Sequence, residues 1–209
     1  MNYREFSATR WVVTVYGLLV GFAGIEHGIF EALQGNIPTE GIMINAIGPA
    51  QTFWPGASER ALTIIPNYLL TGIIAIIFGI IVILWSLFYI ERKYGATLFL
   101  VFTITLFLVG GGFAPIFVSL TASATATRIN QPLNWWKKHL PNQTHKLWPW
   151  ALVLFVIVFI LAVGMQIFGA PFSTEITTSL VTIMALGMVL LIPVGVVAGF
   201  ANDTRSISA

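Results

Sequence analysis

The sequence predicts an all-α, polytopic membrane helix bundle of about five transmembrane segments, and three observations carry that prediction. Of 209 residues 57% are hydrophobic, only 9% are charged, and the charges gather at the borders of five uncharged runs. Water-soluble domains carry about a quarter of their residues as Asp, Glu, Lys or Arg, so a chain this poor in charge takes hydrocarbon as its solvent. Its length suits one bundle with short connections and leaves no stretch of about 50 residues for a separate soluble unit. Residues 1–209 are therefore expected to form a single transmembrane domain, multi-pass in a membrane, with the plasma membrane the expected one and bilayer lipid the first partner. Ten Lys and Arg against eight acids make no basic field large enough for nucleic acid. The absence of cysteine excludes disulfides, thiolate metal sites and cysteine nucleophiles. Composition assigns neither a cofactor nor an oligomeric state.

The runs are 11–25, 61–90, 94–127, 147–174 and 176–202. All but the first exceed the roughly 20 residues that cross ~30 Å of hydrocarbon. The first is near a signal-peptide core in length, but no Ala-x-Ala pattern follows and apolar character continues through Phe30 and Leu33, so a retained helix is expected. Between the first two runs, 41–58 also lacks charge. Gly41, Gly48, Pro49, Pro55 and Gly56 interrupt it too often for a lipid-facing span, and it reads as a structured loop or interfacial helix.

Two helices carry small-residue stripes. At about 100° per residue Gly17, Gly21, Gly24 and Gly28 share one face of the first helix, and Tyr68, Gly72, Ala75, Gly79 and Ser86 share one face of the second. Such stripes let backbones approach closely, and packing is their plain reading. Leucine at Gly21 or Gly24 is expected to harm folding more than leucine at Gly199, which nears the chain end.

Chemistry concentrates at the end of the first helix, in Gly24-Ile25-Glu26-His27-Gly28-Ile29-Phe30-Glu31. With Trp11 at one edge of the hydrocarbon, a rise of about 1.5 Å per residue sets Glu26 and His27 about 22 to 24 Å in and Glu31 near ~30 Å. Glu31 continues the glycine stripe, His27 lies beside it at the i, i+4 position, and Glu26 points to the opposite side. An imidazole beside a carboxylate can pass a proton, orient a polar substrate or offer two metal ligands. The plainer alternative is that all three mark the helix end and bond to loop backbone. Two ligands from one helix do not define a metal site, and His139 and His145 add no recognisable ligand spacing.

Ile65-Pro66-Asn67-Tyr68 opens the second helix on the same membrane side. Asn67 and Tyr68 are candidate pocket residues there, with a headgroup-level first helical turn as the alternative. In the third run, Gly110-Gly111-Gly112-Phe113-Ala114-Pro115 predicts either a kinked spanning helix or a broken one whose open backbone groups line a cavity. Trp135-Trp136-Lys137-Lys138-His139 and His145-Lys146-Leu147-Trp148-Pro149-Trp150 read as a headgroup anchor, aromatic rings and lysine stems both preferring that depth.

No nucleotide loop, nucleophile elbow or zinc helix is present. The expected function is binding or moving a small solute, ion or proton through the bundle. The alternatives are a membrane-embedded enzyme on a lipid-like substrate, with Glu26, His27 or Glu31 as acid and base, and an accessory subunit of a membrane complex. A polar cavity from His27 or Glu31 toward the glycine break would mark transport; a lipid-accessible pocket with converging carboxylates would mark an enzyme.

Charge counting bears on topology. Five crossings with a cytoplasmic N-terminus, the default, put Arg4, Arg10, Arg92 and Lys93 on one side against Arg60, Arg128, Lys137, Lys138, Lys146 and Arg205 on the other. If the third run dips in and returns at its glycine break, Arg60 alone faces the nine others, the asymmetry that the positive-inside rule favours.

Overall fold

The computed structural model describes residues 7–206, the side chains of 166, 167 and 206 aside; Arg4 of the charge count lies outside them. The elements run α1 (Ala8–Leu33), β1 (Met43–Asn45), β2 (Arg60–Leu62), α2 (Tyr68–Phe88), α3 (Gly95–Leu108), α4 (Ala114–Ala126), α5 (Asn134–His139), α6 (Trp150–Phe168) and α7 (Thr174–Ser206), with a 3-10 turn at Thr144–Leu147. Against an expectation of about five crossing segments, four helices are long and apolar enough to cross a membrane: α1, α2, α6 with the turn before it, and α7. The third run is divided into α3 and α4, of 14 and 13 residues. The 41–58 stretch holds the short strand β1, paired antiparallel with β2 in the register Met43↔Leu62 and Asn45↔Arg60.

Helix α1 is the axis of the bundle. Tyr16, Val12 and Val13 are fully buried on it, Phe99 and Leu106 come in from α3 and Phe155 from α6, and the Tyr16 and Phe155 rings lie 4.8 Å apart. Outer faces of α6 and α7 are apolar and open, Leu190 reaching 69% exposure, a pattern that suits hydrocarbon and not water.

The two glycine stripes meet. A Cβ on Gly28 would stand 2.6 Å from the Gly72 carbonyl oxygen, and one on Gly79 would stand 2.7 Å from that of Gly21, so only bare backbone permits this antiparallel approach. Gly17 faces Ser86 at the other end of the pair, whereas Gly24 faces Leu106 of α3. Gly199 is not free space either: its Cβ would lie 3.0 Å from Val12 Cγ2, because α7 packs on α1 there, against 2.5 Å from Ile83 Cγ1 at Gly21 and 2.6 Å from Leu106 Cδ2 at Gly24.

Buried charge ties the helix ends together. Asp203 of α7 accepts from the Ala8 and Thr9 amides at 2.7 and 2.9 Å and from the Thr9 hydroxyl at 2.5 Å, satisfying donors that every helix start leaves open. Arg10, only 4% exposed, donates to the Ser86 and Leu87 carbonyls at 2.8 and 2.6 Å at the close of α2 and to the Thr14 hydroxyl. A cation at a helix C-terminus is favourable, and Arg10 is thus a buried clamp as well as a flanking charge. Tyr16 donates to the Ile192 carbonyl at 2.8 Å, one residue before Pro193 inside α7.

Helices α3 and α4 form an antiparallel hairpin. Ser123, late in α4, donates to the Ala96 carbonyl at the start of α3 at 3.0 Å, and Phe107 and Phe113 meet edge to face at 5.3 Å across the tip. The tip is tied down from outside the hairpin: Ile64 N–H donates to Leu108 O and Gly110 N–H to Leu62 O, both at 2.9 Å, so the chain at 62–64 pairs with the α3–α4 connection as it leaves β2.

Candidate functional site

The last two turns of α1 present their ionisable groups to this tip. His27 is 3% exposed and Glu31 is fully buried. His27 Nε2 lies 2.8 Å from Glu59 Oε2 and 4.0 Å from Glu26 Oε2. Which atom donates in that short bond depends on the imidazole tautomer; where Glu59 is ionised it can only accept, and the proton then lies on Nε2. Among the described residues, His27 Nδ1 and both Glu31 oxygens are buried without a hydrogen-bond partner.

Glu59 arrives from 32 residues away in sequence, and the small sheet delivers it: the Ala46 amide donates to the Glu59 carbonyl at 2.8 Å, extending the β1–β2 ladder by one residue. Glycines deliver the hairpin tip. Gly110 and Gly112 hold φ of 102° and 80°, a region that residues with a Cβ rarely adopt. Space demands glycine as well, since a Cβ on Gly112 would stand 2.6 Å from His27 Cε1 and one on Gly110 would run into the Glu31 carboxylate. The Thr71 hydroxyl fixes the turn from α2, donating to the Val109 carbonyl at 2.8 Å and lying 2.6 Å from the Thr63 hydroxyl. The glycine break and the ionisable end of α1, separate features in the sequence, are one place.

Beside this cluster a cavity of about 380 Å³ lies between α1, α4, α6 and α7. Its walls are aliphatic and aromatic, Leu19, Phe117, Phe155, Phe159 and Met188 among them, and its only polar lining among the described residues is Glu26, His27 and Glu59. A second space of about 570 Å³ between α1 and α6 shares Leu19, Ala23, Glu26 and Phe159 with it and reaches Phe22 and Ile160, which are 56% and 60% exposed. The two spaces thus lie side by side along α1, with Glu26 in the wall of both and His27 in that of the first.

Of the candidates read from sequence, Glu26, His27 and Glu31 gather at one locus. Asn67 and Tyr68 do not line the cavity. Asn67 caps α2, its side chain accepting from the Leu70 amide at 3.1 Å and donating to Asn36 at 2.7 Å, while Tyr68 packs with Ile44, Ala46 and Ala61 in a small separate core. Glu59 escaped sequence reading because it borders an irregular loop and its pairing with His27 is wholly tertiary. Among the described residues no group of three or more His, Cys, Asp or Glu side chains is arranged to hold a metal ion. Comparison with family models, curated proteins and solved structures finds no match for this chain.

Proposed function

We propose that this chain is a multi-pass membrane protein that binds an amphipathic, lipid-like molecule inside its helix bundle. The observation that carries this is the make-up of the cavity, with ionisable groups at one end and apolar walls elsewhere. Each hydrogen-bonding group of a polar solute held against those walls would go unpaired, at about 1–3 kcal/mol apiece. An apolar body there gains roughly 25 cal/mol for each Å² it removes from water. Such walls weigh against the small-solute or ion reading and for a ligand drawn laterally from the bilayer between α1 and α6. The second reading, an enzyme on such a ligand, is favoured by His27, whose Nε2 is held by Glu59 while Nδ1 has no hydrogen-bond partner among the described residues, the arrangement of an imidazole poised as acid or base.

In the topology that goes with this reading, α1, α2, α6 and α7 cross and α3–α4 is a re-entrant hairpin. Three contacts gather at one end of the bundle: Asp203 with Ala8, Asn130 with Glu91 at 3.0 Å, and Arg205 with His145 at 2.8 Å. Helix α3, about 21 Å long at ~1.5 Å per residue, ends beside Glu31 and His27 without needing to emerge. Both described ends then lie on the side that collects every Lys and Arg except Arg60, the cytoplasmic side by the positive-inside rule.

The binding test uses tri(ethylene glycol) monododecyl ether as probe and native mass spectrometry of the protein released from detergent. A saturable adduct is expected, reduced at least tenfold by Ala162→Phe, which puts a ring into the cavity wall. No adduct, or one indifferent to Ala162→Phe with helicity unchanged, overturns the reading.

A further inference from the structure

The polar side chains that line the cavity are not equally engaged. Glu59 and His27 hold each other through the 2.8 Å bond at Nε2, and His27 Nδ1 is buried, with almost no surface to offer a ligand. Glu26 is the remaining one. Its carboxyl stands 4.0 Å from His27 Nε2, outside hydrogen-bond reach, accepts no hydrogen bond among the described residues, and keeps 23% of its side-chain surface open. It lines the cavity, and among the described residues it is the one polar side chain that lines the α1–α6 space. A carboxyl set among apolar walls without a hydrogen bond is costly until some group meets it.

We infer that the head group taken up here is an uncharged hydrogen-bond donor, a hydroxyl or a primary amide on an apolar tail, and that it bonds to Glu26. This rests on the reading of the cavity as an amphipath site and names its ligand class. As a carboxylate Glu26 only accepts; as a carboxylic acid it donates one bond and still accepts others. A donor on the ligand is therefore answered in both states. Hydroxyls and amides accept as well, so they also answer the O–H of the acid. Ether, ester and ketone heads hold acceptors alone and leave a carboxylate unmet. An ammonium matches Glu26 only while that carboxyl is ionised. A phosphate would give up its hydration to walls that hold no lysine or arginine among the described residues. Leu19 and Phe159 share both walls with Glu26 and offer the tail the apolar contact that favours its burial.

Native mass spectrometry with four probes of one tail length tests this: dodecyl glyceryl ether, its di-O-methyl derivative, dodecyltrimethylammonium and dodecyl phosphate. Each is titrated on the wild type, Glu26→Gln, Glu26→Leu and Ala162→Phe, with far-UV circular dichroism confirming helicity. The free diol is expected to bind the wild type at least fivefold more tightly than its methyl-capped twin, which differs by the loss of the donors, and more tightly than either charged probe. In Glu26→Leu the preference for the diol over its capped twin should fall below twofold. Glu26→Gln, whose amide donates and accepts without charge, should keep at least half of it; this variant and the wild-type comparison decide the matter if Glu26→Leu does not fold. Equal binding of the diol and its capped twin, tighter binding of the ammonium or phosphate, a preference that survives Glu26→Leu, or one lost in Glu26→Gln, with Ala162→Phe still blocking binding, overturns the donor head and leaves the cavity reading standing. Absence of binding by every probe, or indifference to Ala162→Phe, overturns both.

Discussion

Alanine at Gly28 perturbs the α1–α2 contact at its tightest backbone approach. The added methyl would stand 2.6 Å from the Gly72 carbonyl oxygen and 2.9 Å from the Ile76 amide nitrogen, both fixed atoms of α2. Relief to ordinary contact takes that separation from 2.6 to 3.4 Å, a local parting of roughly 0.8 Å in an interior packed as densely as a crystal. Overpacking of this kind costs about 1–3 kcal/mol, and backbone on the opposing side puts Gly28 toward the upper end. Alanine in place of glycine in a helix interior returns about 1 kcal/mol. The net expectation is a loss of about 1–2 kcal/mol. Gly164, inside α6 with nothing within 4 Å of its would-be Cβ, is the control, because the same substitution there keeps the propensity gain and meets no clash. Gly164→Ala should therefore be neutral or stabilising by up to ~1 kcal/mol. Unfolding by SDS in mixed micelles, followed by tryptophan fluorescence and circular dichroism, reads both. A Gly28→Ala protein that unfolds at the wild-type SDS fraction or above would refute the close approach of the two stripes.

Two further expectations concern the helix ends and the sidedness of the chain. Asp203→Ala strands three donors on Ala8 and Thr9 and should destabilise by about 1–3 kcal/mol, with Asp203→Asn milder since one carbonyl oxygen remains; equal SDS midpoints for wild type and Asp203→Ala would contradict the clamp. With no native cysteine in the chain, single cysteines at Thr39 and Asn142 report sidedness in intact cells through an impermeant thiol reagent. The re-entrant hairpin predicts labelling at Thr39 alone, and labelling at both positions would restore five crossings.

Much of the site was legible, in pieces. Glu26, His27 and Glu31 announced themselves because ionisable groups within an apolar helix are costly and need protein around them, and that argument uses only one helix and its depth. Gly110 to Gly112 announced a break for an equally local reason. That the break exists to admit His27 and Glu31 was not legible, because it is a contact between segments some 80 residues apart in the sequence. Asn67 illustrates the opposite case. A polar residue at a helix start has a local use, capping, that competes with any role in a pocket, and its side-chain oxygen makes the capping bond while its amide nitrogen donates to Asn36.

Composition and run length determined by themselves that this chain builds long apolar helices, since the cost of exposing hydrocarbon side chains to water is additive and needs no knowledge of neighbours. Stripe periodicity determined which faces of α1 and α2 were small. Only the tertiary structure decided that the 34-residue third run folds back as two helices rather than one, because that choice depends on partners for the opened backbone at 108–110, and those partners are Leu62 at the end of β2, Ile64 just after it and Thr71. It also decided that Arg10 and Asp203 are buried end-clamps and that Glu59 completes the polar end of the cavity. Each of these pairs a charge or a bare backbone group with a partner far along the chain, and such pairing leaves no periodic trace in sequence.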